Sequence, residues 1–363
     1  MRIGIDARLY GTKYRGLGRY IKKLVDGVIK LDNKNYYVIF LTNENYDEFS
    51  TSNKRVKKVL MNARWYSLKE QILVPWIIKK EKVDLMHFPH FNVPLRYNKK
   101  YIVTIHDLII DHFPDSRATN LPKWQYSLKL KGYKRIMKHA VAKANKIIVP
   151  SEFGKVDLVS LYQVPQEKIS VIYEGYFLDK TQAESEISRF NIDKPYLLYV
   201  GSAYPHKNLD KLLEVFNKLN KQNKYQLVFV GEVDEFYRKL QKKVNNSNVI
   251  FTGYVSESEL KTLYQNSLIY VFPSLYEGFG LPPLEAQAHS VPVISSNKSC
   301  LVEILKDSVI YFDPNNESDM FDKIDMLLSD KNLREELIVK GLENIKAYSW
   351  NKMVNETNIL YKK

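Results

Sequence analysis

"LIYVFPSLYEGFGLPPLEAQAHSVPVISS", residues 268–296, reads as a strand, a glycine loop, a helix and a second strand. Leu268–Phe272 is a short continuous apolar run of the kind a strand shows when both its faces are buried. Pro282 and Pro283 suit the first turn of a helix, where a missing N–H leaves no bond unmade, and the following residues "LEAQAHS" continue it. Gly278 and Gly280 let the backbone turn tightly and approach a ligand without a side chain in the way. The loop therefore lies at a strand's carboxyl end and leads into a helix N-terminus, where free N–H groups and the helix dipole attract phosphate or sugar oxygens. Two carboxylates, Glu277 and Glu285, bracket it. In isolation, Glu285 would merely complement the dipole and Glu277 would be a turn residue.

The pair has company. A second strand, glycine, loop and helix stand at residues 196–216, "YLLYVGSAYPHKNLDKLLEVF". Gly201 and Ser202 open that loop, and His206 and Lys207 close it. A lysine there is a compact point charge suited to a diphosphate. With the glutamate loop it makes a nucleotide-diphosphate cradle.

Similar units run the length of the chain. "RIGIDA", "YYVIFLT", "DLMHF", "YIVTIHD", "NKIIVPS" and "ISVIYEG" read as strands of a first series. "PYLLYVG", "YQLVFVG", "NVIFTGYV", "LIYVFPS", "VPVISS" and "SVIYFDP" make a second. Near-continuous Val/Ile/Leu runs alternating with helical patterns predict α/β domains with parallel sheets. The expected organisation is two doubly wound, Rossmann-like domains, residues 1–173 and 195–345, joined by a polar linker at 174–194. Residues 346–363 form a helix that caps the second domain or crosses back to the first. Ligands in such sheets bind at the carboxyl ends of the strands.

Composition narrows the class. At 363 residues, 45% hydrophobic and 13% aromatic, the chain can fill two cores. One cysteine, Cys300, excludes a disulfide framework. Apolar runs stop at about eight residues, short of a membrane span. The N-terminus enters a strand pattern directly, so no leader is expected and a cytoplasmic location is. Residues 1–173 carry 32 Lys and Arg against 15 Asp and Glu, whereas residues 174–363 carry 23 against 26. The first half is built to meet something anionic.

These strings together resemble the retaining glycosyltransferases of family 4, a GT-B group of two Rossmann-like domains facing across a cleft, in its bacterial mannosyltransferase- and rhamnosyltransferase-like branch. "EGFGLPPLE" (277–285) matches that family's two glutamates separated by seven residues. "YVGSAYPHKNL" resembles its diphosphate motif, and "RIGIDARLYGTKYRGLGRYIKKL" its first strand and glycine loop. "VTIHDL", "VPSEFGKVDL" and "FTGYVSESEL" also fit, in order along nearly the whole chain.

The resemblance implies roles. Glu277 would contact the transferred sugar, and Glu285 the ribose hydroxyls. Backbone N–H groups around Phe279, Gly280 and Leu281 would hold sugar and phosphate oxygens. Lys207, beside His206, would neutralise the departing diphosphate, and Val255 would lie near the base. Gly16 and Gly18 would close over the phosphates from the first domain. His106 would lie near the reacting sugar and acceptor, with His90 and Asp107 on the acceptor side. The implied reaction moves a hexose, mannose-like, from a GDP- or UDP-sugar to a hydroxyl of a lipid-linked glycan, with retention and without a metal or other cofactor. It would serve surface polysaccharide assembly at the inner face of the cell membrane. The family usually pairs an arginine with the diphosphate lysine; Ser202 and His206 stand at those positions, and a protonated His206 would substitute for it.

Other readings compete locally. His87, His90, Asp107 and His112 could be a metal set, but the histidine pair sits at a strand end with proline between, not on a helix face. "GLGRY" has two of the three glycines of a dinucleotide fingerprint and a long loop before it, poor support for NAD. Residues 122–146 hold eight Lys and Arg and no acid. Leu130, Tyr133, Met137, Ala140, Val141 and Ala144 share one helical face, and Lys131, Lys134, Arg135 and Lys138 form a separate stripe. That stripe is either a solvated surface or a contact for anionic lipid headgroups. A catalytically inactive regulatory subunit is disfavoured by the retained Glu277, Glu285 and Lys207. A nucleic-acid-binding role lacks any recognition motif.

Overall fold

The computed structural model of the chain describes residues 1–11, 15–114, 122–176 and 187–362. They form two compact units, Met1–Gly175 with Ser349–Lys363, and Tyr176–Tyr348.

The first unit holds strands β1 (Arg2–Asp6), β2 (Tyr36–Leu41), β3 (Val56–Leu60), β4 (Leu85–Phe88), β5 (Tyr101–Thr104), β6 (Lys146–Val149) and β7 (Ile169–Val171). Helices α1 (Arg15–Leu31), α2 (Leu68–Lys80), α3 (Ile109–His112), α4 (Lys123–Lys143) and α5 (Glu152–Tyr162) intervene. The sheet order is β3-β2-β1-β4-β5-β6-β7, all parallel. Strand β3 escapes the sequence reading because two adjacent lysines interrupt the apolar residues of VKKVL. It is an edge strand with no fully buried residue, and so it has no continuous apolar run.

The second unit holds β8 (Tyr196–Val200), β9 (Gln226–Val230), β10 (Val249–Gly253), β11 (Ile269–Phe272), β12 (Val293–Ser296) and β13 (Ile310–Phe312). Between and after them come α6 (Leu209–Leu219), α7 (Glu235–Gln241), α8 (Glu257–Gln265), α9 (Leu281–Ala288), α10 (Leu301–Leu305), α11 (Glu317–Ser329) and α12 (Lys331–Asn344). The order β10-β9-β8-β11-β12-β13 is again parallel throughout. Strands β9 and β11 are buried along their whole length, as helices on both faces require. In both sheets the strand order reverses beside the first strand, between β1 and β4 and between β8 and β11. Such a reversal splays the adjacent loops apart and leaves a crevice at the carboxyl edge.

The last helix, α13 (Trp350–Tyr361), starts at an N-cap in which Lys352 N–H donates to Ser349 Oγ. It belongs to the first unit and packs on α1, burying Met353, Val354, Leu360 and Tyr361 with Tyr20, Ile21, Leu24 and Val25. Gly27 permits the close approach, since a Cβ there would stand 2.4 Å from Val354 Cγ2. The unit boundaries differ from the sequence expectation at both ends. Glu174 and Gly175 belong to the first unit and not to a linker. Residues 187–194 belong to the second, where Phe190 is buried. Residues 346–348 likewise stay with the second unit, and the crossing helix begins at Ser349. Residues 177–186 of the expected linker lie outside the described residues.

Candidate active site

In the second unit, the loops after β8 and β11 leave neighbouring strands on either side of the order reversal. Parallel pairing of Ile269 with Leu197 and Tyr270 with Leu198 sets them side by side. Lys207 Nζ donates to Glu277 Oε1 at 2.5 Å, and both side chains are largely buried. Ser274 Oγ donates to the same oxygen at 2.6 Å. The Glu277 backbone is wired in as well, its N–H donating to Ser299 Oγ at 3.0 Å and its carbonyl accepting from Cys300 Sγ at 3.3 Å. Cys300 is thereby a buried packing and hydrogen-bonding residue, its thiol pushed well up by burial.

Gly280 is the N-cap of α9 at φ +91°, and a Cβ there would stand 2.8 Å from Leu301 Cδ2. Both its conformation and the space require glycine. Pro282 and Pro283 occupy early helix positions and remove two of the orphan N–H groups of that terminus. Gly280 and Leu281 keep their N–H groups at that terminus. Glu285 lies one turn into α9 and is buried. It is no surface complement to the helix dipole. Phe279 is buried against Tyr348 with ring centroids 5.6 Å apart.

Gly201, at φ +152°, follows β8, and Ser202 accepts on its carbonyl a hydrogen bond from Tyr199 Oη at 2.8 Å. Val255 is half-buried in the loop after β10, two strands from β8 at the same carboxyl edge, about 10 Å across the sheet. The exposed Tyr254 beside it passed unnoticed in the sequence. His206 sits beside Lys207 in the loop after β8. It is 6% exposed, and burial together with the Lys207 charge pushes its pKa down to about 4. A ring so lowered is neutral in the physiological range and carries no charge beside Lys207 in this structure. Its backbone carbonyl instead accepts from Leu275 N–H at 2.8 Å, which ties the two loops together.

The first unit gathers its candidates at its own carboxyl edge. Gly16 and Gly18 lie in the first turns of α1, not in a loop; the preceding residues 12–14 lie outside those described. His106 follows β5, its Nδ1 2.9 Å from Glu174 Oε1 and its Nε2 3.0 Å from the Pro89 carbonyl. Asp107 is exposed, and its carboxylate accepts from Ile109 N–H at 3.1 Å, capping the turn into α3. His90 packs edge-on to Trp65 and lies over Phe91, with Nδ1 buried and lacking a hydrogen-bond partner.

Chain neighbours of the metal reading are otherwise engaged. His87 bonds Tyr361 Oη at 2.6 Å through Nδ1 and Thr104 Oγ1 at 2.9 Å through Nε2, and His112 bonds Asp157. Among the described residues, no three His, Cys, Asp or Glu side chains converge as a metal site. Burial pushes the pKa of His87 and of His90 down to about 3, with the His106 charge contributing.

Two partners were not legible in the sequence. Arg8 is fully buried at the end of β1. Its Nε and Nη2 donate to the two Asp6 oxygens at 2.9 and 2.7 Å, Nη2 also to Glu70 Oε1 at 2.7 Å, and Nη1 to the Ala63 carbonyl at 2.9 Å. The guanidinium lies 4.1 Å over the Trp65 ring. The other is Glu174, which the sequence assigns to the linker. Lys131, Lys134, Arg135 and Lys138 are exposed on α4, opposite the buried Tyr133, Met137, Ala140 and Val141. Among the described residues, no helix is long and apolar enough to cross a membrane.

Comparison with known proteins gives this geometry a setting. The family description "Glycosyltransferase Family 4" matches residues 14–180 and "Glycosyl transferases group 1" residues 180–343. O-antigen chain mannosyltransferase B of Escherichia coli is 26% identical over 299 residues, covering 79% of this chain and 76% of its own. O-antigen chain mannosyltransferase RfbU of Salmonella typhimurium is 30% identical over 261 residues, covering 70% and 67%. Among solved structures, sucrose-phosphate synthase from Thermosynechococcus elongatus superposes with a TM-score of 0.77 at 18% identity, covering 100% of this chain and 98% of that one. Alr3699/HepE of Anabaena, in complex with UDP and glucose, gives 0.72 at 13% identity, covering 100% and 99%. At these identities the structural likeness is one of fold, the GT-B architecture.

Proposed function

This chain belongs to the glycosyltransferases of family 4 and group 1, and from that premise we propose that it transfers a hexose, mannose-like, with retention, from a GDP- or UDP-sugar to a hydroxyl of a lipid-linked glycan in surface polysaccharide assembly. The observation that carries the donor side is the Lys207–Glu277 contact at the carboxyl edge of the second sheet. Lys207 takes the charge that accumulates on the diphosphate as the sugar leaves. The N–H groups at Phe279, Gly280 and Leu281 and the α9 dipole share it, and preorganised donors of this kind carry much of the catalysis in such sites. Glu277 orients the transferred sugar, Glu285 takes the ribose hydroxyls, and Val255 borders the base. Gly201 and Ser202 leave room for the diphosphate beside Lys207. Gly16 and Gly18 offer backbone to phosphate oxygens, and His90, His106 and Asp107 serve the acceptor and the reacting sugar. The likeness to two O-antigen mannosyltransferases supports mannose and a glycan acceptor.

A membrane-borne acceptor is supported by surface composition. The α4 lysines share their helix with Trp124 and Leu128, 65% and 60% exposed. Along α2, Leu68, Ile72 and Trp76 lie four residues apart and are 87%, 63% and 60% exposed. Apolar side chains flanked by basic ones suit an anionic lipid surface.

Thermal stabilisation by GDP, UDP, dTDP and ADP tests the donor assignment, since a ligand that binds only the folded chain raises its melting temperature by mass action. One of GDP and UDP is expected to stabilise most. Indifference to all four removes the reading. Co-sedimentation with vesicles should rise with their anionic lipid content; binding that ignores that content removes the membrane contact.

A further inference from the structure

The hydrogen bonds of His106 fix its protonation. The Pro89 carbonyl oxygen only accepts, so Nε2, 3.0 Å away, carries a hydrogen. Nδ1 faces Glu174 Oε1 at 2.9 Å. With an ionised carboxylate there, Nδ1 must carry a hydrogen as well, and the ring is an imidazolium. A neutral ring would leave two lone pairs opposed, or move the proton to a carboxyl 7% exposed. Position reinforces the pairing. His106 lies two residues past β5, Glu174 three past β7, and Tyr20 of α1 packs edge-on to the ring at 4.5 Å.

The ionisable groups around the ring are Glu174, the adjacent Asp107, Tyr20 from α1, and His87 and His90 on β4 and its following loop. Burial holds both neighbouring imidazoles well below the usual histidine range, so neither competes with His106 for a proton. Burial pulls its pKa down, but the hydrogen bond and charge of Glu174, the Pro89 carbonyl and Asp107 outweigh it and hold it above 6.5.

We propose that Glu174 is the positioning residue of His106, holding it as a fixed imidazolium that serves sugar transfer through its charge and not as a base. The proposal rests on the reading of this chain as a sugar transferase with His106 beside the reacting groups. A base that takes a proton from an acceptor hydroxyl needs an open nitrogen lone pair, and here both nitrogens donate to protein acceptors. What the ring offers a substrate oxygen is a positive charge held in place by two bonds.

The two roles give opposite pH dependences. A base gains activity as pH rises through its pKa. A required imidazolium is fully present at lower pH and is lost as pH rises through the raised value.

The test follows the His106 ring by NMR in chain labelled with nitrogen-15 histidine, across the neutral and alkaline range, in the wild type and in Glu174→Gln and Glu174→Ala. The wild type should titrate above 6.5, with both ring nitrogens protonated below its midpoint. In Glu174→Gln the amide donates to a bare Nδ1 and keeps the ring oriented, so the fold survives while the midpoint drops on the order of one pH unit. The alkaline limb of the transfer rate should move down with it. A wild-type midpoint at or below 6.5, or an unmoved midpoint in Glu174→Gln, overturns the pairing. A midpoint that moves without the rate profile overturns the catalytic half. If no donor sugar is turned over, the NMR result still decides the pair, so the two failures are distinguishable.

Discussion

The Lys207 ammonium and the Glu277 carboxylate meet at 2.5 Å although 70 residues separate them in the chain. Their strands are neighbours across the order reversal of the second sheet, and Ser274 donates to the same carboxylate oxygen. Glu277 thus engages the cation that the proposed diphosphate would use, and such a ligand would share Lys207 with it or displace it. Removing the carboxylate charge relieves that competition. In Glu277→Gln the affinity for GDP or UDP should stay within about threefold of wild type or rise, because a neighbouring like charge is removed. Transfer from the nucleotide sugar should fall by about 100-fold or more, the loss expected when a preorganised polar contact to the reacting group goes. Calorimetric titration beside initial rates checks both; weakened nucleotide binding with intact turnover would invert the assignment.

Buried histidines make the chain acid-sensitive in a defined window. His206, with a pKa of about 4, and His87 and His90, at about 3, stay neutral in the fold, whereas unfolded histidine protonates near 6.5. Their contribution to stability is complete above 6.5 and is lost as pH falls toward the folded values. Each costs up to about 1.4 kcal/mol per pH unit in that interval. His106 has the opposite sign, its contribution being lost as pH rises through its raised pKa. Urea unfolding between neutral and mildly acid pH should show the loss, and His206→Gln should flatten part of it. An unchanged slope in that variant would mean that His206 already titrates in the fold.

Close packing of α1 on α13 is set by one pair. Gly27→Ala drives a methyl group into Val354, an overpacking that costs about 1–3 kcal/mol. Adding Val354→Ala empties the same space, so the double variant should be more stable than the two single costs summed. Strictly additive losses in thermal unfolding would show that the helices are free to shift apart.

The Arg8 network is the other structural hinge of the first unit. Arg8→Leu leaves Asp6 and Glu70 side by side without their cation, and breaking a buried pair in this way costs about 3–5 kcal/mol. Chemical denaturation should show it. Replacing Asp6, Arg8 and Glu70 together by apolar residues should be milder than Arg8→Leu alone, because no buried charge is then stranded.

Much of the fold is legible in the sequence. Continuous apolar runs between helical patterns announce parallel sheets, and a glycine loop between strand and helix marks the binding edge. Lys207 and Glu277 each carry that signal, so their meeting follows from strand order. The remainder depends on contacts that no local pattern encodes. Glu174 lies in a polar stretch and is recognisable only once β7 is placed within reach of β5. Arg8 looks like any residue after a strand until its shell of Asp6 and Glu70 closes. The neutrality of His206 is set by burial, which a loop full of polar and aromatic residues does not reveal. The helix α13 could equally have capped either unit from its spacing alone; its apolar face finds its match on α1.

The central claim is that the loops ending in Lys207 and beginning at Glu277 hold a donor diphosphate. Titration of GDP and UDP into wild type and Lys207→Ala tests it most directly. One of the two nucleotides should bind the wild type and lose about 10- to 100-fold in affinity in the variant, the cost of a charged hydrogen bond removed. Equal affinity in wild type and variant would contradict the account.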